Sequence, residues 1–301
     1  AEQIAVASPR EAGGIRFSNE MVRGSITGIP EEWRPGANPA LRVRGGRREA
    51  LRILGDLGGF KEYAKTRDFP ARPTTGLSAH IKFGTVSLRE VYAAACAALG
   101  RGHVLIRELY WHDFFTQIGW HFPHVFGHAF QRRYEKLGWR EDEGMFQAWC
   151  EGRTGFPIVD AGMRELNTTG FMHNRVRMIV ASFLVKDLWI DWRWGERYFA
   201  QRLVDYDPCV NNGNWQWAAS TGCDAQPYFR VFNPWLQQRK FDGGGEYIRR
   251  WVPELAGLTL REIHTPGCAE VRARRGYPMP ICDHGEASRL AKARFERVRE
   301  L

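Results

Sequence analysis

The stretch PIVDAGMRELNTTGFMHNRVRMIVASFLVKDLWIDW, residues 157–192, decides the fold class. Its apolar residues recur at three- and four-residue intervals, which is the spacing of one helix face. A Thr-Thr-Gly turn divides it into two helices, and the second is expected to run from Phe171 to Trp192. Because strand-like alternation is scarce elsewhere, the chain is predicted to be all-α.

Further helices are predicted on both sides of this stretch. Ser87 and Glu90 have capping-box spacing, so they open a helix that continues to Leu99. A second amphipathic pattern covers residues 107–120, and a third covers 195–204.

Two regions are expected along the chain. Residues 1–40 are rich in Gly, Pro and charge and are predicted to form an irregular lead-in. Residues 41–301 are predicted to form one helical domain.

The composition points to a polyanionic partner. The 301 residues carry 43 basic and 34 acidic side chains, a net charge of +9. Such a charge is typical of nucleic-acid binding, although solubility alone is an alternative explanation. No apolar run approaches the roughly 20 residues of a membrane span. Neither a dinucleotide-binding glycine motif nor a P-loop is present.

Metal and disulfide chemistry are not indicated. No two of the six cysteines form a CxxC pair, so they are expected to be reduced thiols in the cytoplasm. His121, His124 and His128 have the spacing HxxHxxxH, but Pro123 interrupts the helix that would bring them together. We therefore predict solvated histidines and no metal site.

Residues of the 107–120 helix suggest an aromatic binding surface. Glu108, Trp111, His112 and Phe115 stand at i, i+3, i+4 and i+7, so they share one face. Such a face could stack a nucleobase and meet its polar edge with a carboxyl group. A surface glutamate above a core tryptophan is the plainer alternative.

The segment FMHNRVRM, residues 171–178, suggests a second wall. Phe171, Asn174 and Met178 are expected on one helix face, where an amide and a thioether would suit an uncharged heterocycle. Arg175 and Arg177 point elsewhere and would suit phosphates. A core helix with a solvated arginine edge is the alternative.

Two polar motifs are weaker signals. Asp205 and Asp207 would point the same way in an extended segment and could bind metal, transfer protons or accept hydrogen bonds. The segment TTGLS, residues 74–78, could hold a phosphate, but a helix cap is the favoured interpretation.

Together, residues 152–199 and 203–242 closely resemble the FAD-binding helical domain of photolyases and cryptochromes. The resemblance is greatest to microbial class I cyclobutane-pyrimidine-dimer photolyases and extends from about Tyr63 to about Leu255. It implies one non-covalent, U-shaped FAD buried in an all-α domain.

The resemblance assigns cofactor contacts residue by residue. Asn211 matches the residue that faces flavin N5, where an amide can accept the N5–H of reduced flavin. Gly76 stands where many relatives have a basic residue. The expected FAD-binding residues are Tyr63, Thr74, Thr75, Gly76, Leu77, Ser78, Arg177, Asp205, Asp207 and Asn211.

Other positions match the wall that binds damaged DNA. Glu108 matches the carboxyl group that bonds the pyrimidine dimer, and two tryptophans match the aromatics that clasp it. His112 replaces an arginine of relatives, and Phe171 replaces a tryptophan of many relatives. The expected DNA-binding residues are Glu108, Trp111, His112, Asn174, Arg175, Met178, Trp217 and Gln237.

Three tryptophans match the electron relay of the family. Trp139 is expected at the distal end, Trp192 in the middle and Trp215 next to the flavin. Core packing is the expected role of the other indoles considered, which are Trp149, Trp189 and Trp251.

The expected function is light-dependent splitting of cyclobutane pyrimidine dimers by a monomer that binds damaged DNA in the cytoplasm and associates with the nucleoid. The alternatives are a cryptochrome-type photoreceptor, a (6-4) photolyase and a helical DNA-binding module without flavin. Only about 60 residues precede Tyr63, so we expect neither an N-terminal α/β domain nor a bound antenna chromophore.

Overall fold

The regular structure of this chain is almost entirely helical. The computed structural model describes residues 38–225 and 227–299, and in these ranges the one isolated β-bridge joins Arg140 to Ile190. The predicted all-α class is confirmed. Apart from residues 38–40, the predicted lead-in lies outside the described residues. No helix in the described part of the chain is long and apolar enough to cross a membrane.

Fifteen α-helices are present in the described ranges. In chain order they are α1 (Arg47–Gly55), α2 (Tyr63–Thr66), α3 (Leu77–Lys82), α4 (Leu88–Leu99), α5 (Val104–His121), α6 (Glu143–Cys150), α7 (Pro157–Thr169), α8 (Asn174–Ser182), α9 (Trp192–Arg202), α10 (Pro208–Ala219), α11 (Pro234–Phe241), α12 (Glu246–Trp251), α13 (Leu260–His264), α14 (Ala269–Ala273) and α15 (His284–Arg299). A π-helical turn, Phe183–Asp187, directly follows α8.

The start of α4 shows why local sequence could predict a helix boundary. The Ser87 side chain accepts a hydrogen bond from the Glu90 backbone N–H, and the Glu90 carboxylate accepts one from the Ser87 N–H at 2.8 Å. Two N–H groups that lack helical partners are thereby satisfied, which contributes about 1 kcal/mol. The helix ends at Leu99, as predicted.

The helix predicted from Phe171 to Trp192 is wrong at both ends. It begins at Asn174, because the neutral His173 ring accepts a hydrogen bond from the Arg175 N–H and caps the helix. Phe171 therefore precedes the helix and does not belong to its face.

At its other end, the chain leaves the helix after Asp187. Trp189 has φ 59°, and its indole N–H donates to the Gly138 carbonyl at 3.0 Å. Asp191 then caps a new helix by accepting from the Arg193 N–H. Helix α9 consequently begins at Trp192, three residues before the predicted start.

Two glycines allow α10 to approach α9 and α5 closely. A Cβ on Gly195 of α9 would lie 2.2 Å from the Trp215 ring of α10, and a Cβ on Gly213 of α10 would lie 2.1 Å from the Phe115 ring of α5. Neither distance is compatible with a methyl group. The absence of these side chains lets α10 pack between α9 and α5.

A main hydrophobic core lies around α7, α8 and the π-helical turn, and it includes Trp149, Phe156 and Val180. A second cluster joins α1, α4 and α5. The C-terminal helix α15 is attached through the fully buried Phe295 and a 2.5 Å hydrogen bond between His284 and Asp187.

Candidate functional site

A cavity of about 450 Å³ opens between α5, α8, α10 and the segment leading into α3. Its size is typical of sites that bind small molecules and cofactors. A smaller adjoining pocket shares part of its wall and reaches Asn211 and Trp215. Most of the predicted site residues line these two spaces, including Tyr63, Thr74, Thr75, Gly76, Leu77, Ser78, Glu108, Trp111, His112, Asn174, Arg177, Met178, Asp205, Asp207, Asn211, Trp215 and Trp217.

Asp205 forms the charged centre of the cavity wall. Its side chain is only 3% exposed. Both of its carboxylate oxygens accept hydrogen bonds from Arg177 Nη2, at 2.9 and 3.0 Å. Ser78 Oγ donates to the same carboxylate at 2.6 Å, and Arg177 Nε donates to the Met172 carbonyl. These bonds compensate the cost of burying the charge, and they tie α3 and α8 to the segment before α10.

Asp207, the second of the two predicted carboxylates, caps a helix and forms no ion pair within the described residues. Asp207 Oδ1 caps α10 by accepting from the backbone N–H groups of Cys209 and Val210, both at 3.0 Å. Asp205 and Asp207 therefore both reach the cavity, but only Asp205 is ion-paired within the described residues.

The segment TTGLS forms the start of α3 and part of the cavity wall. Gly76 has φ 68°, which favours glycine, and Thr75 Oγ1 accepts from the Leu77 N–H at 3.4 Å. The segment therefore begins a helix, as the cap interpretation expects, but no side chain caps the N-cap Gly76, and the same residues line the cavity. Space lies open around Gly76, because an added Cβ would meet nothing within 4 Å.

Helix α5 supplies the opposite wall. All four residues of its predicted face line the cavity, and Trp111, 40% exposed, stacks on Phe115 with ring centroids 6.1 Å apart. Glu108 forms an ion pair with Arg67, whose guanidinium lies over the Tyr63 ring. This places a carboxylate beside an open aromatic surface.

Helix α8 brings Asn174 and Met178 to the same cavity, with the amide nitrogen 4.0 Å from the thioether sulfur. Phe171 also lines the cavity although it precedes the helix. The guanidinium groups of Arg42 and Arg177 lie over its ring, at 5.5 and 5.4 Å from the ring centre.

Arg175 is not a free cation, in contrast to its expected role at a phosphate. Its side chain is 17% exposed, its Nη2 donates to Asp68 at 2.7 Å, and its guanidinium lies 4.5 Å from the Phe241 ring centre. Asp68 also lies 3.9 Å from Arg67. A chain of alternating charges therefore runs from Glu108 and Arg67 in the cavity wall through Asp68 to Arg175, which does not line the cavity.

Sequence reasoning missed Arg67 and Asp68. The signal available was their place four and five residues after Tyr63, inside the region of resemblance. Three predicted DNA-binding residues carry unpartnered polar atoms. His112 Nδ1 in the cavity wall, Arg175 Nε on α8 and Gln237 Oε1 on α11 are buried without a hydrogen-bond partner in the described structure. Gln237 does not line the cavity.

The predicted relay tryptophans are buried or half-buried. Trp215 contacts Trp149, with ring centroids 6.1 Å apart, and Trp139 contacts Trp189 at 4.8 Å. Trp192 is fully buried in the main core. No aromatic contact among the described residues joins two of the three predicted members directly, so the relay stays a prediction.

The histidines of the HxxHxxxH pattern lie around the end of α5. The His124 ring stacks on Phe130, with centroids 6.1 Å apart. Within residues 38–225 and 227–299, no three His, Cys, Asp or Glu side chains come together as a metal site. All six cysteines are unpaired.

Comparison with known proteins gives a consistent result. Residues 105–297 match the family described as the FAD binding domain of DNA photolyase. A deoxyribodipyrimidine photo-lyase of Vibrio cholerae is 49% identical over 232 residues, which are 74% of this chain and 50% of the relative.

Solved structures agree with the sequence relatives. A class III photolyase of Agrobacterium tumefaciens aligns with TM-score 0.79 and 44% identity, over 85% of this chain and 56% of the other. A cryptochrome of Synechocystis aligns with TM-score 0.79 and 34% identity, over 88% and 59%. The chain spans about half the length of the curated relatives it matches. These matches, together with the all-α fold, show that the chain belongs to the photolyase and cryptochrome family through its FAD-binding domain.

Proposed function

We propose that this chain is the FAD- and DNA-binding part of a deoxyribodipyrimidine photo-lyase, which splits cyclobutane pyrimidine dimers in light. One observation carries the proposal. Two adjoining pockets, which share Arg177 and Asp205 in their walls, join a polar inner wall of cofactor type at Asn211 to an open mouth at Glu108 and the exposed Trp111. The names of the relatives support the same activity.

The inner wall fits FAD in its chemistry. Asn211 offers an amide oxygen that accepts no hydrogen bond from a described residue, and it lines the smaller pocket. Asp205 and Ser78 suit the hydroxyl groups of the ribityl chain. The open backbone at Gly76 and the hydroxyl groups of Thr74 and Thr75 suit the phosphates.

FAD, when bound and fully reduced, would supply one electron to the dimer under blue light, and the electron would return to FAD once the two cyclobutane C–C bonds have broken. No net oxidation or reduction results. The protein positions the partners and excludes water. Glu108 lies at the mouth beside Trp111, where its carboxylate can bond the polar edge of a base clasped between Trp111 and Trp217.

The positively charged chain would bind the DNA through phosphates. Photolyases flip the damaged bases out of the duplex, and the mouth is where these bases would enter. To bind a DNA phosphate, Arg175 must give up its ion pair with Asp68. Otherwise Arg175 acts indirectly, by holding Asp68 and Arg67 in place. Asn174 and Met178 would contact the flipped bases from α8.

The wider expectations belong to the same proposal. Residues 41–301 act as one domain with one FAD, as a cytoplasmic monomer that joins the nucleoid when bound to DNA. Trp215, Trp192 and Trp139 carry an electron to oxidised flavin. No antenna chromophore is bound, and an action spectrum with a strong band absent from the flavin spectrum would contradict that statement.

The direct test is repair of an oligonucleotide that contains one thymine dimer, by the FAD-loaded, reduced chain under blue light. A (6-4) photoproduct oligonucleotide and a dark sample serve as controls. We expect light-dependent loss of the dimer alone. Repair of the (6-4) photoproduct would favour a (6-4) photolyase, flavin photochemistry without repair would favour a photoreceptor, and DNA binding without flavin would favour a DNA-binding module.

A further inference from the structure

Asn211 and Glu196 face each other across the contact between α10 and α9. Asn211 Nδ2 donates to the backbone carbonyl of Glu196 at 3.1 Å and to its side-chain Oε1 at 2.9 Å. The two helices are held close at this point, because Gly195 leaves room for the Trp215 ring. The geometry of the pair is therefore set by the packing of the helices.

This arrangement fixes which end of the amide points to the pocket. A backbone carbonyl can only accept a hydrogen bond, so the amide nitrogen must face Glu196. Rotating the amide by half a turn would bring its oxygen against the carbonyl and carboxylate oxygens of Glu196. Asn211 Oδ1 is consequently directed away from α9, and it accepts no hydrogen bond from a residue in the described ranges.

Glu196 adds more than a second acceptor. Its burial raises the pKa of the carboxyl group, whereas the hydrogen bond from Asn211 and the charge of Arg197 lower it. The carboxylate forms no ion pair within the described residues, so its hydrogen-bonding partner there is the Asn211 amide. A carboxylate on the N–H side polarises an amide and makes its oxygen a stronger acceptor.

We propose that Glu196 is a positioning residue, which holds Asn211 so that only an acceptor oxygen faces flavin N5. Oxidised N5 is itself an acceptor and gains nothing from such a neighbour. The flavin form that has taken up one electron and one proton carries N5–H and donates to Asn211 Oδ1. The pair would therefore favour uptake of hydrogen at N5. This inference rests on the proposed binding of FAD.

The test compares Glu196→Met with Glu196→Gln in the FAD-loaded chain. Methionine keeps the side-chain length but accepts hydrogen bonds weakly, whereas glutamine retains an amide oxygen as acceptor. Spectroelectrochemistry measures the couple that adds one electron and one proton. We expect Glu196→Met to lower its equilibrium constant about tenfold, or about 59 mV for one electron. In Glu196→Gln the same equilibrium constant should remain within about threefold of that of the unaltered chain. A threefold change corresponds to about half the free-energy change of a tenfold one.

The N5–H stretching band distinguishes positioning from general damage. It should shift to higher frequency in Glu196→Met, because the hydrogen bond weakens, and return in Glu196→Gln. A matched control is Glu151→Gln, since the exposed Glu151 accepts from Gln147 Nε2 at 2.5 Å and does not line the cavity or the adjoining pocket. This control should leave both readouts unchanged.

Three results would overturn the inference. They are unchanged potential and N5–H band in Glu196→Met, equal changes in Glu196→Met and Glu196→Gln, and loss of flavin from both variants while the unaltered chain retains it. Failure of the unaltered chain to bind FAD would instead contradict the proposed function.

Discussion

Protonation of His173 should destabilise the fold, because this histidine caps α8 in its neutral form. Its side chain is 3% exposed, and Nδ1 accepts from the Arg175 backbone N–H at 3.2 Å. Nε2 is buried without a partner in the described structure. Burial, followed by the charge of Arg177, lowers the pKa of His173 from 6.5 to about 4.

The sign and size of the effect follow from these two pKa values. At pH values between these two pKa values, His173 is protonated in the unfolded chain and neutral in the folded chain. The free energy of unfolding therefore falls as the pH falls. A difference of about 2.5 pKa units corresponds to about 3 kcal/mol below both values. Between pH 7 and pH 5 the loss attributable to His173 is about 2 kcal/mol.

The assay is urea unfolding of the unaltered chain and of His173→Asn at pH 7 and pH 5. Asparagine is a preferred helix cap and does not titrate, so the variant keeps the cap without the pH dependence. Other groups contribute equally to both proteins and cancel in the comparison. We expect the unaltered chain to lose about 2 kcal/mol more than the variant. An equal loss in both proteins would refute the reasoning.

Three further predictions concern the cavity. Trp215→Phe should block photoreduction of oxidised flavin and leave repair by chemically reduced enzyme largely intact, as followed by flavin absorbance and dimer loss; equal loss of both would contradict its relay role. Glu108→Gln should lower repair per absorbed photon about tenfold, the size expected from one charge-assisted hydrogen bond, with little change in DNA affinity; an unchanged yield would remove its catalytic role. Arg177→Leu leaves the buried Asp205 unpaired, so the free energy of unfolding should fall by about 3 kcal/mol. Arg153→Leu, which breaks an exposed ion pair, should cost less than about 1 kcal/mol, and similar losses in both variants would argue against the buried pair.

Local signals predicted those features that depend on neighbours in sequence. The capping box at Ser87 and Glu90 appears as expected, because both hydrogen bonds form within one turn. The face of α5 that carries Trp111 and His112 also lines the cavity, since a regular helix fixes the relative directions of its side chains.

Features that depend on distant partners could not be predicted in this way. The break at Trp189 relies on a hydrogen bond to Gly138, 51 residues away. Arg175 is engaged by Asp68, 107 residues away, although its sequence neighbours suggest a free cation. Glu196 gives no signal of its own, because its role depends on how closely α9 approaches α10.

The proposed function requires the two adjoining pockets to hold reduced flavin and a pyrimidine dimer close enough for electron transfer. The excited-state lifetime of bound, reduced FAD tests it most directly. Saturating oligonucleotide with one thymine dimer should shorten that lifetime, whereas the undamaged oligonucleotide should not. An unchanged lifetime with the damaged DNA demonstrably bound would contradict this arrangement of flavin and dimer.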